Sequence, residues 1–360
     1  MLYDLVSAIV EQFRYITFRT AFGAVASFVL VVIFAPVFIR MLKQKSILER
    51  ADKTDSERLS KLHQHKSSTP TMGGFIIIGA ILVATALFAR LDNIFVVYSI
   101  LLAAGLAILG LIDDITKLNA TGSKGISKSF KLLGQGLLGL AIGFGLWHYF
   151  QKHLPSATTL YIPLIKETVE LGAFYPFFVA LVIVASSNAV NLTDGLDGLA
   201  SGCLIMAGLA YLVIIYIVGR IDYTAYLNIP YMPGSGELTI FMAAFVGACL
   251  GFLWFNGYPA EIFMGNVGST ALGGALGFVA VVAKQEVALF LVGAIFVIDT
   301  VSVILQIISF RFWGKRIFKI APLHHHYQFN GIPESKITLR FWIVAAILAI
   351  ITLATLKIEI

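Results

Sequence analysis

The sequence predicts an all-α polytopic membrane protein of about ten transmembrane helices, folded as one integral membrane domain over residues 1–360. Three observations predict it. Residues of the AVILMFWYC set make up 58% of the chain and charged residues 13%, against about 45–50% and about 25% in soluble domains. Apolar runs, most near the ~20 residues that span a bilayer core, recur from Phe18 to Leu356, and no polar block is long enough to fold separately. Basic residues gather in every second connection, as cytoplasmic loops do. Backbone groups find no water partners in hydrocarbon, so helices are the default spanning element.

The spans are expected at 18–40, 73–90, 94–112, 131–150, 171–187, 197–218, 238–255, 268–283, 287–310 and 338–356. The fifth and eighth are short enough to be tilted or partly re-entrant. No internal repeat is evident, which weakens the reading as a transporter built from inverted repeats. Cys203 and Cys249 lie inside apolar runs and read as packing residues, with neither disulfide nor metal spacing. Residues 1–17 carry acids and lack the basic start, short apolar core and cleavage site of a secretory signal.

Orientation follows from the basic residues. The first connection carries them from Arg40 to Lys66, the third from Lys117 to Lys131 and the ninth from Arg311 to Lys336. The even-numbered connections hold only Arg90, Lys152, Lys166, Arg220 and Lys284. The odd connections therefore face the cytoplasm and both termini face outward. The net charge of +6 is explained by this topology and by anionic lipid or substrate, which argues against a nucleic-acid face.

Unusual polar residues fall in the inward connections. Asp113 and Asp114 close the third span at a helix C-terminus, where the dipole disfavours acids by roughly 0.3–1 kcal/mol each. They read either as a solvated helix end, or as a divalent-cation site or a base tuned by its neighbour. Asn188, Asn191, Asp194 and Asp197 recur every third position; on one continuous helix they would drift around the axis. A break at Gly195 or Gly198 would regroup them. Oxygen ligands of this kind suit Mg²⁺ or the hydroxyls and imides of a sugar nucleotide. Asn256, Phe263, Gly265, Asn266, Gly268 and Ser269 form a glycine-rich string that is either a turn before a helix or a ligand loop with Phe263 stacked on a base. His324, His325 and His326 follow Pro322 and precede Glu334. Their spacing is not that of a helical zinc site; in an extended segment His324 and His326 would project together, for phosphate binding or proton transfer. Lys66, Thr69, Pro70, Thr71, Gly73 and Gly74 open the second span. Thr69 or Thr71 reads first as a helix cap, with phosphate capture aided by Lys66 as the alternative.

Together these strings resemble the bacterial phospho-N-acetylmuramoyl-pentapeptide-transferase family, within the polyprenyl-phosphate N-acetylhexosamine-1-phosphate transferase superfamily. The resemblance runs from Tyr15 to Trp342 and rests on three motifs in order: Thr69 to Gly74, Asn188 to Asp197, and the triple histidine. It implies a multi-pass protein of the bacterial inner membrane with periplasmic termini, a cytoplasmic cleft, Mg²⁺ dependence and homodimers. It also implies transfer of phospho-MurNAc-pentapeptide from UDP-MurNAc-pentapeptide to undecaprenyl phosphate in the bilayer, giving lipid I and UMP. A GlcNAc-1-phosphate transferase is the nearer alternative, and a transporter using intramembrane acids the more distant one. The resemblance makes Asp113, Asp114 and Asp197 the essential acids, with Asp113 taking a proton from the lipid phosphate or orienting it. Asn191, Asp194 and Phe263 would hold the uridine, with Asn188 and Asn256 beside them. His324, His325 and His326 would meet the diphosphate or sugar, and Lys66, Thr71, Lys117 and Lys131 would add contacts and positive charge. The chain departs from the family pattern twice: Asn266 stands where the family has an Asp expected to bind Mg²⁺ with Asp114, and Gln328 where it usually has Glu. Asn keeps a carbonyl oxygen but loses the charge, so metal affinity should fall.

Overall fold

The computed structural model describes residues 11–45, 47–48, 69–119, 125–163, 165 and 167–357. The apolar runs become helices, because only helices satisfy the backbone within a single segment. In chain order these are α1 (Ile16–Gln44), α2 (Gly74–Phe88), α3 (Ile94–Asn119) and α4 (Lys128–His153). A two-stranded hairpin follows, β1 (Thr159–Ile162) against β2 (Glu167–Glu170), antiparallel with Thr159 opposite Glu170. Then come α5 (Tyr175–Thr193), α6 (Leu199–Val218), the short α7 (Ile221–Leu227), α8 (Leu238–Asn256) and α9 (Gly265–Val282). The chain ends with the single turn α10 (Leu289–Val292), α11 (Ala294–Trp313), the short α12 (Leu323–Phe329) and α13 (Glu334–Thr355). Among the described residues nine helices are long and apolar enough to cross a membrane. α2 is a further apolar helix of 15 residues, about 22 Å long at 1.5 Å per residue. The protein is an all-α polytopic membrane protein.

The bundle is organised around α9. Its apolar window is 89% buried and that of α8 78%, whereas those of α1 and α11 are 28% buried and form the outer wall. Small residues let α9 sit at the hub. A Cβ on Gly74 would overlap the backbone of Gly268, and a Cβ on Gly110 would overlap the carbonyl of Asn266. The start of α9 is thereby pressed against α2 and α3 with no side chain between.

Several boundaries differ from expectation. α3 runs on to Asn119, so Asp113 and Asp114 lie inside the helix and not beyond its end; Lys117, one turn on, pairs with Asp113 and offsets the dipole penalty. α5 runs on to Thr193, making Asn188 and Asn191 helical. The ninth expected span breaks at Gly293 into α10 and α11. Neither Thr69 nor Thr71 caps α2: its first turn has no side-chain cap, and its N–H groups at Gly73 and Gly74 bond to the carbonyls of Phe263 and Met264.

Because α9 is 18 residues long, it separates the two ends of the bundle by about 27 Å. At the far end Arg19 makes a double hydrogen bond to Glu237 at 2.6 and 2.7 Å and a third to the carbonyl of Phe88. Lys284 closes α9 there in a left-handed conformation, φ 55°. The other end carries every motif singled out above that lies within the described residues.

Candidate functional site

Helix ends and loops at the near end of α9 gather two polar clusters. The first is built on Asp113 and Asp114, both buried. Ser127 caps α4 by accepting the N–H of Phe130 at 3.1 Å, which fixes the first turn of α4 and sets Lys131 over the acids. Asp113 Oδ2 receives Lys117 Nζ at 2.9 Å and lies 3.6 Å from Lys131 Nζ. Its Oδ1 accepts the N–H of Ile126 at 3.1 Å. That loop needs the glycine at 125, whose φ is 85° and where a Cβ would collide with Asp113 Oδ1. Asp114 Oδ1 accepts from Asn266 Nδ2 at 2.6 Å, and its Oδ2 from the N–H of Val267 at 3.2 Å. Asn266 Oδ1 in turn accepts from Lys131 Nζ at 2.9 Å. Five side chains from α3, α4 and the first turn of α9 thus make one connected network.

The second cluster surrounds the break between α5 and α6. Gly198 takes the left-handed conformation, φ 72°, and reverses the chain so that Asp197 turns inward. Asp197 is buried; its Oδ2 accepts the N–H of Ala260 at 3.0 Å, and its own N–H donates to Glu334 Oε1 at 2.6 Å. Asp194 is half-buried at the end of α5. Gly195 is a close-approach glycine: a Cβ there would lie 2.5 Å from His324 Nε2 and 3.0 Å from His325 Nε2.

The histidines are not extended. Residues 323–329 form a short helix, so His324 and His326 diverge. His324 is fully buried, and its Nδ1 lies 2.7 Å from Asp299 Oδ2. With Asp299 Oδ2 against Nδ1, the other ring nitrogen, Nε2, is the one that faces Gly195. His325 is buried with Nδ1 3.1 Å from Gln328 Oε1. His326 turns away, accepting the N–H of Lys319 at 3.2 Å beside the Phe318 ring.

A hydrogen bond and a loop join the clusters. Ser269, one turn into α9 from Asn266, donates to Asn191 Oδ1 at 3.0 Å. The loop between α8 and α9 carries Ala260 and half-buried Phe263, whose N–H donates to Pro70 O at 2.8 Å. Thr71 is buried beside Gly265, with its hydroxyl oxygen 3.2 Å from where a Cβ would stand. Two expected contacts are committed elsewhere. Asn256 uses both ends of its amide, accepting from Gly198 N–H and Ser201 and donating to Ile262 O. Asn188 spends its NH₂ on Gln135 Oε1 and Val184 O. These two amides hold the scaffold around the site. Lys66 lies outside the described residues.

Sequence reasoning missed Asp299 and gave Glu334 no role. Asp299 had a signal, being a carboxylate inside the apolar run 287–310. Glu334 had none, since its partner is a backbone N–H 137 positions away.

A family model described as glycosyl transferase family 4 matches residues 96–284, the stretch that contributes Asp113, Lys131, Asp197 and Asn266. Across the whole chain, phospho-N-acetylmuramoyl-pentapeptide-transferase of Maridesulfovibrio salexigens is 45% identical, covering 96% of this chain and 95% of that protein. The chain belongs to the phospho-N-acetylmuramoyl-pentapeptide-transferase family. Transferases of the same name from Thermodesulfovibrio yellowstonii, 45% identical over 100% of both chains, and Citrifermentans bemidjiense, 44% identical over 99% and 98%, span it just as fully. As a member of this transferase family the protein is a phospho-sugar transferase embedded in a membrane through many passes.

Proposed function

We propose that the protein transfers phospho-MurNAc-pentapeptide from UDP-MurNAc-pentapeptide to undecaprenyl phosphate, giving lipid I and UMP. The observation that carries this reading is that the acid–lysine network and the Asp197–histidine cluster meet at one end of the bundle, in a chain related to such transferases along its full length. A lipid phosphate cannot leave the bilayer and a sugar nucleotide cannot enter it. The reaction therefore belongs where spans end, at the cytoplasmic face of the inner membrane. An oxygen of the lipid phosphate attacks the sugar-linked phosphorus of the UDP-sugar. A new P–O–P link forms, the bond to the bridging oxygen breaks, and UMP leaves with that oxygen.

In this reading Lys117 and Lys131 offset charge on the diphosphate, and Asp113, held between them, orients the lipid phosphate or takes its proton. His324, its ring held by Asp299, offers Nε2 beside Gly195 to the diphosphate or the sugar. Asn191, Asp194 and Phe263 receive the uridine. One integral domain supplies all of these groups, and the family resemblance extends the reading to homodimers.

Mg²⁺ would serve such a transfer by neutralising phosphate charge, and Asp114 with Asn266 is where it is expected. The two side chains do meet, but Asn266 turns its NH₂ toward Asp114 and its oxygen toward Lys131. Among the described residues no group of three or more His, Cys, Asp or Glu side chains could hold a metal ion. This donor set does not fit a resident Mg²⁺, and no step above passes through one. The test is UMP release by the purified protein in nanodiscs, with UDP-MurNAc-pentapeptide and undecaprenyl phosphate. Release is expected to require both substrates. Its absence from this chain and from Asn266→Asp alike would overturn the reading.

A further inference from the structure

The acid–lysine network is electrically closed, and Asn266 is the residue that closes it. Each oxygen of Asp113 and Asp114 already has an N–H donor: Ile126 and Lys117 on Asp113, Asn266 and Val267 on Asp114. Two carboxylates face two ammonium groups, with no formal charge left over for a cation to neutralise. The amide orientation is dictated by chemistry. Reversed, it would set NH₂ against the Lys131 ammonium and a carbonyl against the Asp114 carboxylate. Nor can the amide move aside easily. Its backbone carbonyl lies against Gly110, and the preceding Gly265, φ 73°, leaves no room for a Cβ beside Asp114 Oδ2. A divalent ion at Asp114 would have to displace the amide NH₂ and would then stand close to Lys131.

We infer that Asn266 is a positioning residue that fixes Lys131 as the protein's standing positive charge toward the diphosphate, so that the unliganded protein keeps no divalent ion at Asp113 and Asp114. The identity of that diphosphate rests on the function proposed above; the metal half of the inference does not.

Mn²⁺ is the probe, titrated into the full-length protein in nanodiscs and followed by electron paramagnetic resonance, with no nucleotide present. Asn266→Asp replaces the NH₂ facing Asp114 by a carboxylate oxygen and is expected to bind Mn²⁺ roughly tenfold or more tightly than the unsubstituted chain, the scale on which ligand-sphere changes act. Equal affinity of the two overturns the inference. Asn266→Leu removes both hydrogen bonds. It is expected to raise KM for the sugar nucleotide about tenfold, with kcat less affected, as loss of a charge-assisted contact does. An unchanged KM overturns the positioning role. If Asn266→Leu does not fold, Asn266→Ala, which removes both the donor and the acceptor, is read the same way. The Mn²⁺ arm needs no turnover, so a chain that released no UMP would defeat the transferase reading and still decide this one.

Discussion

The two ends of α9 carry buried charge in opposite styles. At the far end, Arg19 and Glu237 form a double hydrogen bond, topped up by the Phe88 carbonyl and the Arg90 N–H. At the near end the charges are shared: Asp113 serves two lysines, and Asn266 divides its amide between Lys131 and Asp114. The near-end lysines also keep access to solvent, Lys117 at 33% and Lys131 at 13%, against 2% for Arg19. A bidentate buried pair locks helices together. A shared, partly exposed network can exchange partners when a ligand arrives, which is what a site needs and a strut does not.

The comparison predicts that near-end substitutions strike turnover and far-end substitutions strike stability. The largest effect is expected from Asp113→Asn, which should lower UMP release by about 10²–10⁴-fold, the range for removing a proton-handling group, with the thermal unfolding midpoint nearly unchanged. A midpoint that falls with the activity would make Asp113 a strut. Glu237→Leu leaves the Arg19 guanidinium buried without its carboxylate and should cost about 3–5 kcal/mol. Denaturant unfolding measures that loss, and turnover per folded molecule should stay level. Gly74→Val drives a side chain into the Gly268 backbone and should cost about 1–3 kcal/mol as overpacking. It should also lower turnover, because the segment entering α2 carries Thr71 to Gly265; this variant alone is expected to do both.

The far-end turn gives a pH signature. Burial pushes the Glu286 carboxyl up from its ordinary range and the Lys284 ammonium down, each offset partly by the other. The folded chain therefore holds the Glu286 proton at pH values where the unfolded chain has lost it, and stability should fall as pH rises from the ordinary glutamate range toward neutrality. Lys284 acts in the opposite sense at higher pH. Glu286→Gln should flatten the acidic-side slope in unfolding curves, and an unaltered slope would assign it to another group. The smallest effect belongs to Thr69→Ala, whose hydroxyl reaches Ala260 O only at 3.5 Å. Within about 0.5 kcal/mol of unchanged stability is expected from unfolding curves.

The membrane architecture was legible because hydrocarbon imposes a length and a composition on every span: nine of the ten expected runs became one helix each, and the ninth became two. Boundaries near the site were less legible. Asp113, Asn188 and Asn191 are polar and look like span ends in the sequence, yet they continue the helices because neighbours across the bundle, Lys131, Gln135 and Ser269, satisfy them. The conformation of the histidine run was not legible for a related reason. Three identical residues carry no period, and the helix they adopt is set by Pro322 at its start and by Asp299 accepting the N–H of His324.

Composition, span length and the order of the polar strings were sufficient to determine a polytopic helical bundle of this family, since hydrophobic period and motif spacing are local properties of a chain. Only the tertiary structure decided that Asn188 and Asn256 are spent on the scaffold, that Asp299 and Glu334 hold His324 and Asp197, and that Asn266 faces Lys131 with its oxygen. Each depends on which donors meet which acceptors across 25 to 137 positions of chain, and hydrogen-bond partnership at that range is fixed by packing alone.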